Sequence, residues 1–310
     1  MRVGVVGVGA MGTLHVRGYS GLDDCELVGL YDIDLERARE VAGRYQVHCF
    51  SELDALLNRV DAVTVAVPTP DHHLVGLRCL EVGCDVLIEK PIAVSLDQAD
   101  SLIAMAQKEG RILQVGHIER YNPAVEALAD RVGESPGFIE VDRLGSLAPR
   151  GLETDVVLDL MIHDIDIVHW LVDDKVVDIR GVGVPILTEA IDFANARLEF
   201  AGGCIANLTA SRVSVNRSRK VRVFQPASYL SVDYAAQTVE EYRLSWAGGK
   251  PSGIETDSID ASGDDPLIRQ LMDFVNSCTS RTSPRADGKS ARQALATALD
   301  ILNAIEARIK

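Results

Sequence analysis

The first 115 residues alternate nearly unbroken apolar runs with segments of helical period. Residues 2–6, 27–31, 62–67, 85–88 and 112–115 are such runs, rich in Val, Ile, Leu and Ala. A short run without polar alternation is the pattern of a strand buried on both faces, as in a parallel sheet. Between the runs, residues 10–19, 35–45, 51–57, 71–82 and 95–108 read as helices. Ser95-Leu96-Asp97-Gln98 fits a capping box at the start of one, and Ser51-Glu52-Leu53-Asp54 is a weaker version. The alternation predicts βα units with right-handed crossovers, an α/β Rossmann domain built on a doubly wound parallel sheet.

Beyond about residue 120 the period changes. One helical segment, 154–171, is followed by stretches of period-two alternation at 176–185, 190–200, 204–212, 220–225, 229–234 and 238–244. Gly202-Gly203 reads as a hairpin turn between two of them. Residues 247–266, rich in Gly, Ser and Asp, predict a loop, and helices are expected at 265–278 and 288–309. The pattern predicts a C-terminal α+β domain with an open, mostly antiparallel sheet. The expected division is therefore 1–120 for dinucleotide binding and 121–310 for substrate binding and oligomerisation, with closing helices able to pack back on the first domain.

Composition narrows the partners. The chain has 310 residues, 31 Lys+Arg against 46 Asp+Glu, and a net charge of −15 spread over both halves. That balance argues against nucleic acid or an anionic membrane as partner. Six scattered cysteines, at positions 25, 49, 79, 84, 204 and 278, form no C-x-x-C or zinc spacing. They read as reduced thiols of a cytoplasmic protein without a metal site. The N-terminal run lacks the basic region and cleavage site of a signal peptide, and no run approaches the roughly 20 apolar residues of a membrane span.

Gly7-Val8-Gly9-Ala10-Met11-Gly12 is a G-x-G-x-x-G between the first strand and the first helix. Its first glycine allows the tight turn, its second lets backbone approach a pyrophosphate, and its third lets helix and strand pack closely. Asp32 ends the second strand, where a carboxylate accepts from a ribose 2′-hydroxyl and repels a 2′-phosphate. The constellation predicts NAD rather than NADP; an FAD-binding or cofactor-free Rossmann domain is the alternative. Arg37 and Arg39 follow closely enough to temper the choice against NADP.

Four further strings, in order, resemble the glucose–fructose oxidoreductase/inositol dehydrogenase (Gfo/Idh/MocA) family. They are Val65-Ala66-Val67-Pro68 with His72, then Glu89-Lys90-Pro91, then the run Gly116–Pro123 (GHIERYNP), then Asp159-Leu160-Met161-Ile162-His163. Val67 stands where the family has threonine. The resemblance spans nearly the whole chain and implies a dehydrogenase in which Lys90, Asp159 and His163 are catalytic. It also implies that Val67, Pro68, His72 and Glu89 line the cofactor site.

The residue types support that chemistry independently. Oxidising a secondary alcohol needs a base for the hydroxyl proton and a positive group near the developing alkoxide. Lys90 follows a central strand, where open α/β sheets bind ligands. Asp159 and His163 are four apart on one helix face, so the carboxylate can orient an imidazole whose ordinary pKa is about 6.5. Whether Lys90 or His163 is the formal base stays open. Asp164, Asp166 and His169 read as structural, and His15 has no evident partner.

The segments at 116–123 and 220–234 resemble the branch that oxidises nucleotide-linked amino sugars, such as UDP-N-acetylglucosamine, at the ring 3-hydroxyl for lipid A or surface glycan assembly. An inositol, polyol or free-sugar dehydrogenase, or a catalytically silent NAD-binding regulator, are the alternatives. Arg120, Tyr121 and Asn122 are expected substrate contacts alongside Lys90 and His163. The run 212–222 (RVSVNRSRKVR) is either a diphosphate site or a charged sheet edge. An exposed sheet face in the second domain predicts a homodimer or homotetramer.

Overall fold

The computed structural model describes residues 1–133, 136–146 and 154–309. In chain order the first elements are β1 (Arg2–Val6), α1 (Ala10–Tyr19), β2 (Glu26–Tyr31), α2 (Leu35–Tyr45), β3 (His48–Cys49), α3 (Leu53–Leu57), β4 (Ala62–Val65), α4 (Thr69–Glu81), β5 (Asp85–Ile88), α5 (Leu96–Lys108) and β6 (Leu113–Val115). They are followed by α6 (Pro123–Ala129), β7 (Phe138–Leu144), α7 (Ile162–Val172), β8 (Val176–Val184), β9 (Phe193–Phe200), β10 (Ile205–Ser211) and β11 (Ser218–Gln225). The chain closes with β12 (Ser228–Asp233), β13 (Thr238–Ala247), β14 (Lys250–Asp260), α8 (Pro266–Ser280) and α9 (Gly288–Ile309). It divides into two compact units, Met1–Ile118 with Asp265–Arg292, and Glu119–Asp264 with Gln293–Lys310.

In the first unit the strands form one parallel sheet in the order β3-β2-β1-β4-β5-β6. Strands β4 and β5 are buried at every position, which is why they read as unbroken apolar runs. The order reverses between β1 and β4, the switch point beside which such sheets bind ligands. Helix α8 belongs to this unit: Leu267, Leu271, Phe274 and Cys278 join the core of Val3, Val5, Val16 and Leu30. The first unit is thus built from two separated stretches, with the closing segment 265–292 packed on residues 1–118.

The second unit carries an eight-stranded sheet in the order β14-β13-β12-β11-β7-β10-β9-β8. Only β7 and β10 run parallel; the other pairs are antiparallel. One face packs Ile139, Val141, Leu208, Val221 and Val223 against α6, α7 and α9. The other face bears a cross-strand aromatic row. Phe138 and Phe224 are 5.7 Å apart between ring centroids, Phe224 and Tyr229 4.8 Å, and Tyr229 and Tyr242 5.4 Å.

Two features depart from the sequence expectation. Residues 250–260 are not a loop but strand β14, paired along its length with β13. It is an edge strand whose positions are nearly all exposed, so no apolar face marks it. The helix expected from 154 is wound as a π-helical turn over Val157–Met161 before the regular turns of α7 begin.

A buried charge network anchors α7. Arg143 of β7 donates to Asp164 at 2.8–3.0 Å and to Glu119 at 3.0 Å. Arg120 donates to both carboxylate oxygens of Asp166 at 2.7 and 2.8 Å. Burial opposes the charge on Arg143, but Asp164 and Glu119 outweigh it and hold the guanidinium pKa above its ordinary value. Arg143→Leu leaves two buried carboxylates uncompensated. The expected loss is about 3–5 kcal/mol of unfolding free energy, read as a lower urea midpoint. A loss below about 1 kcal/mol would show that the network does not hold the helix.

Candidate active site

The glycine turn sits at the carboxyl end of β1. Gly7 has φ +84°, a left-handed conformation, and a Cβ there would lie 2.7 Å from the Ala66 carbonyl oxygen. A Cβ on Gly12 would lie 1.8 Å from the Gly7 oxygen, so only glycine lets α1 approach the turn. Gly9 differs. A Cβ there would meet no protein atom within 4 Å, so packing does not demand glycine at this position. The open space fits a pyrophosphate laid against the backbone. Ala10 and Met11 begin α1 and are exposed, as residues facing a ligand would be.

Asp32 does more than end β2. Its carboxylate accepts from the Val8 N–H at 2.7 Å, the Asp34 N–H at 2.9 Å and Arg37 Nη2 at 2.8 Å. Burial acts to raise its pKa, and these donors outweigh that and hold it below the usual carboxylate range. It therefore fastens the glycine turn from beneath. The Arg37 guanidinium, a candidate partner for a 2′-phosphate, is spent on this carboxylate, which itself repels one.

The turns after β4 and β5 are tied together. His72 lies between two carbonyls, with Nδ1 2.8 Å from Pro91 O and Nε2 2.9 Å from Val67 O. It is 1% exposed and braces the two turns. Pro68 is the exposed residue that precedes α4. Glu89 is buried and its Oε1 lies 2.9 Å from His15 Nε2. Burial raises its carboxyl, but His15 and the neighbouring Lys90 outweigh this and hold it low. The His15 partnership spans 74 residues, so the sequence carries no signal of it. Lys90 follows, half-buried, its N–H donating to Glu89 Oε2 at 3.3 Å.

In the second unit Asp159 lies in the π turn and His163 in the first regular turn of α7, both half-buried. A π turn takes more residues than an α turn, so positions four apart fall just short of one turn and share a side of the helix. The Nδ1 of His163 is shielded from solvent. The three expected substrate contacts after residue 119 are all buried. Arg120 is spent on Asp166, and Tyr121 is 2% exposed. Asn122 caps α6 by accepting from the Ala124 N–H at 3.1 Å, and its amide donates to Glu119 and to the Tyr234 carbonyl.

Two family models match the chain, an oxidoreductase family with an NAD-binding Rossmann fold over residues 1–117 and the GFO/IDH/MocA C-terminal domain over 146–225. A UDP-N-acetylglucosamine 3-dehydrogenase of Acidithiobacillus ferrooxidans is 38% identical over 309 residues, 99% of this chain and 98% of that one. The chain belongs to the Gfo/Idh/MocA family. A solved structure of the A. ferrooxidans 3-dehydrogenase superimposes with a TM-score of 0.94 at 36% identity, covering 100% of this chain and 99% of that one. An inositol 2-dehydrogenase of Rubrobacter xylanophilus is 33% identical over 225 residues, 68% of this chain and 65% of that protein.

Family membership makes the protein an oxidoreductase with NAD as its cofactor. The open space at Gly9 then has a direct test. Gly9→Ala should leave the melting temperature unchanged, because its Cβ meets no protein atom. It should weaken NAD about tenfold, a loss of roughly 1.4 kcal/mol. Undiminished NAD affinity by titration calorimetry would show that the space is not the cofactor's.

Proposed function

We propose that this enzyme oxidises the 3-hydroxyl of UDP-N-acetylglucosamine to a ketone. The observation that carries the reading is the likeness to the A. ferrooxidans 3-dehydrogenase along essentially the full length of both chains, in sequence and in fold. The residues this reaction needs are all present as Lys90, Asp159 and His163.

Bound NAD supplies the hydride acceptor. The glycine turn holds its diphosphate through backbone N–H groups and the positive end of α1, and Asp32 keeps that turn in place. Lys90 presents an ammonium from the end of β5, where it lowers the energy of the alkoxide that forms as the hydroxyl proton departs. His163 takes that proton, and Asp159, on the same side of the helix, orients the imidazole. The charge network behind α7 keeps that pair from drifting, as a proton transfer over hydrogen-bond distance requires.

Incubation with NAD and a panel of UDP-sugars, free hexoses and inositols, followed at the reduced-nicotinamide absorbance, tests the reading. Turnover is expected with UDP-N-acetylglucosamine; turnover with inositol alone, or none beside tight NAD binding, would overturn it. Lys90→Met should lower kcat by about 10²–10⁴-fold while NAD affinity holds. Comparable loss of both would remove Lys90 from the chemistry.

The protein is further proposed to work as a homodimer through the aromatic row Phe138, Phe224, Tyr229 and Tyr242. An open sheet with one face covered by helices and the other bearing aromatic rings is a surface suited to a second copy. Sedimentation at micromolar concentration should give a dimer or a multiple of one, and Phe224→Lys should shift it to monomer. A monomeric wild type would sink the proposal.

A further inference from the structure

The basic run 212–222 does not act as one patch, because strand periodicity divides it. On β11, Lys220 and Arg222 share the face opposite buried Val221 and Val223. There they are met by acid: Lys220 lies 3.9 Å from Asp233, and Arg222 2.7 Å from Glu140 and 3.2 Å from Asp142. Arg212 is 6% exposed; its guanidinium donates to the Thr154 carbonyl and lies 3.9 Å from Asp192. These three are structural.

Arg217 and Arg219 are different. Both are exposed, and among the described residues neither forms an ion pair with a carboxylate. Arg219 lies on the helix-bearing face, in register with Arg143. Its field reaches Asp164, whose own charge Arg143 already meets. Arg217 only approaches the Ser146 hydroxyl, at 3.5 Å. Among the described residues these two arginines, two positions apart, are exposed at one place without a carboxylate partner, in a chain of net charge −15.

Both line one pocket of about 270 Å³, together with Leu144, Ser146, Arg212 and Asp159. Sites that enclose a drug-sized ligand run to roughly 300–1,000 Å³, so this pocket takes part of a ligand rather than all of it. Two guanidiniums and a hydroxyl in this lining suit phosphate oxygens, which arginine binds with paired donors. The Asp159 carboxylate in the same lining repels an anion and accepts from hydroxyls. Asp159 is also the residue that orients His163 in the proposed chemistry.

We propose that Arg217 and Arg219 bind the diphosphate of a nucleoside diphosphate sugar and so direct its sugar ring toward Asp159 and His163. This rests on the nucleotide-sugar reading above and assigns the residues that separate such a substrate from a free sugar. Specificity then comes from two charges at one end of the ligand, and chemistry from the groups at the other.

The test uses the NAD-loaded full-length enzyme and the variants Arg217→Ala, Arg219→Ala, the double variant, and Arg222→Ala as an outer-face control. The titrant is UDP, followed by calorimetry, and KM and kcat are measured with UDP-N-acetylglucosamine. Each single variant should weaken UDP and raise KM by about 10- to 100-fold, as loss of a charged hydrogen bond does. kcat, the melting temperature and NAD affinity should change little, and Arg222→Ala should behave as wild type. Unchanged UDP affinity in the double variant, or an equal loss in Arg222→Ala, would overturn the proposal. The two readings fail separately. A wild type that binds UDP through these arginines yet turns over no UDP-sugar sinks the substrate and keeps the anion site. Turnover with undiminished UDP affinity in the double variant does the reverse.

Discussion

The arrangement of the second unit depends on how α7 is held. The helix is buried almost all round and carries apolar residues on several sides, so hydrophobic packing alone would tolerate a range of rotations about its axis. Asp164 and Asp166 remove that freedom. They are two residues apart and point to different sides, one to Arg143 on β7 and the other to Arg120. Both pairs are buried and make two-pronged contacts, so rotating the helix would break one to keep the other. Buried ion pairs add little net stability over apolar packing, but a broken one is expensive. Their effect here is to select one setting of the helix. That setting directs His163, adjacent to Asp164 in sequence, and the π turn that carries Asp159.

A comparable logic operates at the glycine turn of the first unit. A chain of net charge −15 binds an anionic cofactor because the site uses backbone N–H groups and a helix terminus rather than side-chain cations. The carboxylate beneath the turn, Asp32, is neutralised locally by Arg37 and by two backbone donors. The average charge therefore governs which macromolecules the surface repels, and says little about what individual concavities hold.

The parts of the fold legible in sequence are those where burial leaves a pattern. β1, β4 and β5 announce themselves because both faces are covered, and α8 because its apolar positions repeat at helical spacing. β14 is illegible for the opposite reason: neither face is covered, so Lys250–Asp260 carries no alternation. β7 is disguised, because the third inward position of Phe138–Leu144 is Arg143, a charge in a core site. β3 is only two residues long. Among candidate site residues, the glycine turn and Lys90 stand out in sequence because motif and strand end coincide. The partners of His72, Arg120 and Asn122 do not. Polar residues beside a site look alike in sequence whether they face a ligand or brace the frame, and Arg120 and Asn122 each have a partner more than forty residues away.

What separates the two kinds of polar residue in this chain is compensation. Arg120, Arg143 and the imidazole of His72 each have buried partners with geometry that uses their donors, and each would cost the fold if removed. A charge kept on an exposed pocket wall without such a partner contributes little to stability, since its full hydration is available to it. Stability then does not account for its position. The period of β11 makes the contrast within a single run: neighbours in sequence fall on opposite faces, so Lys220 and Arg222 meet acids across the sheet while Arg219 turns to the pocket that Asp159 shares. A strand can thus place a structural charge and a ligand-binding charge side by side without either interfering with the other, because the sheet itself separates them.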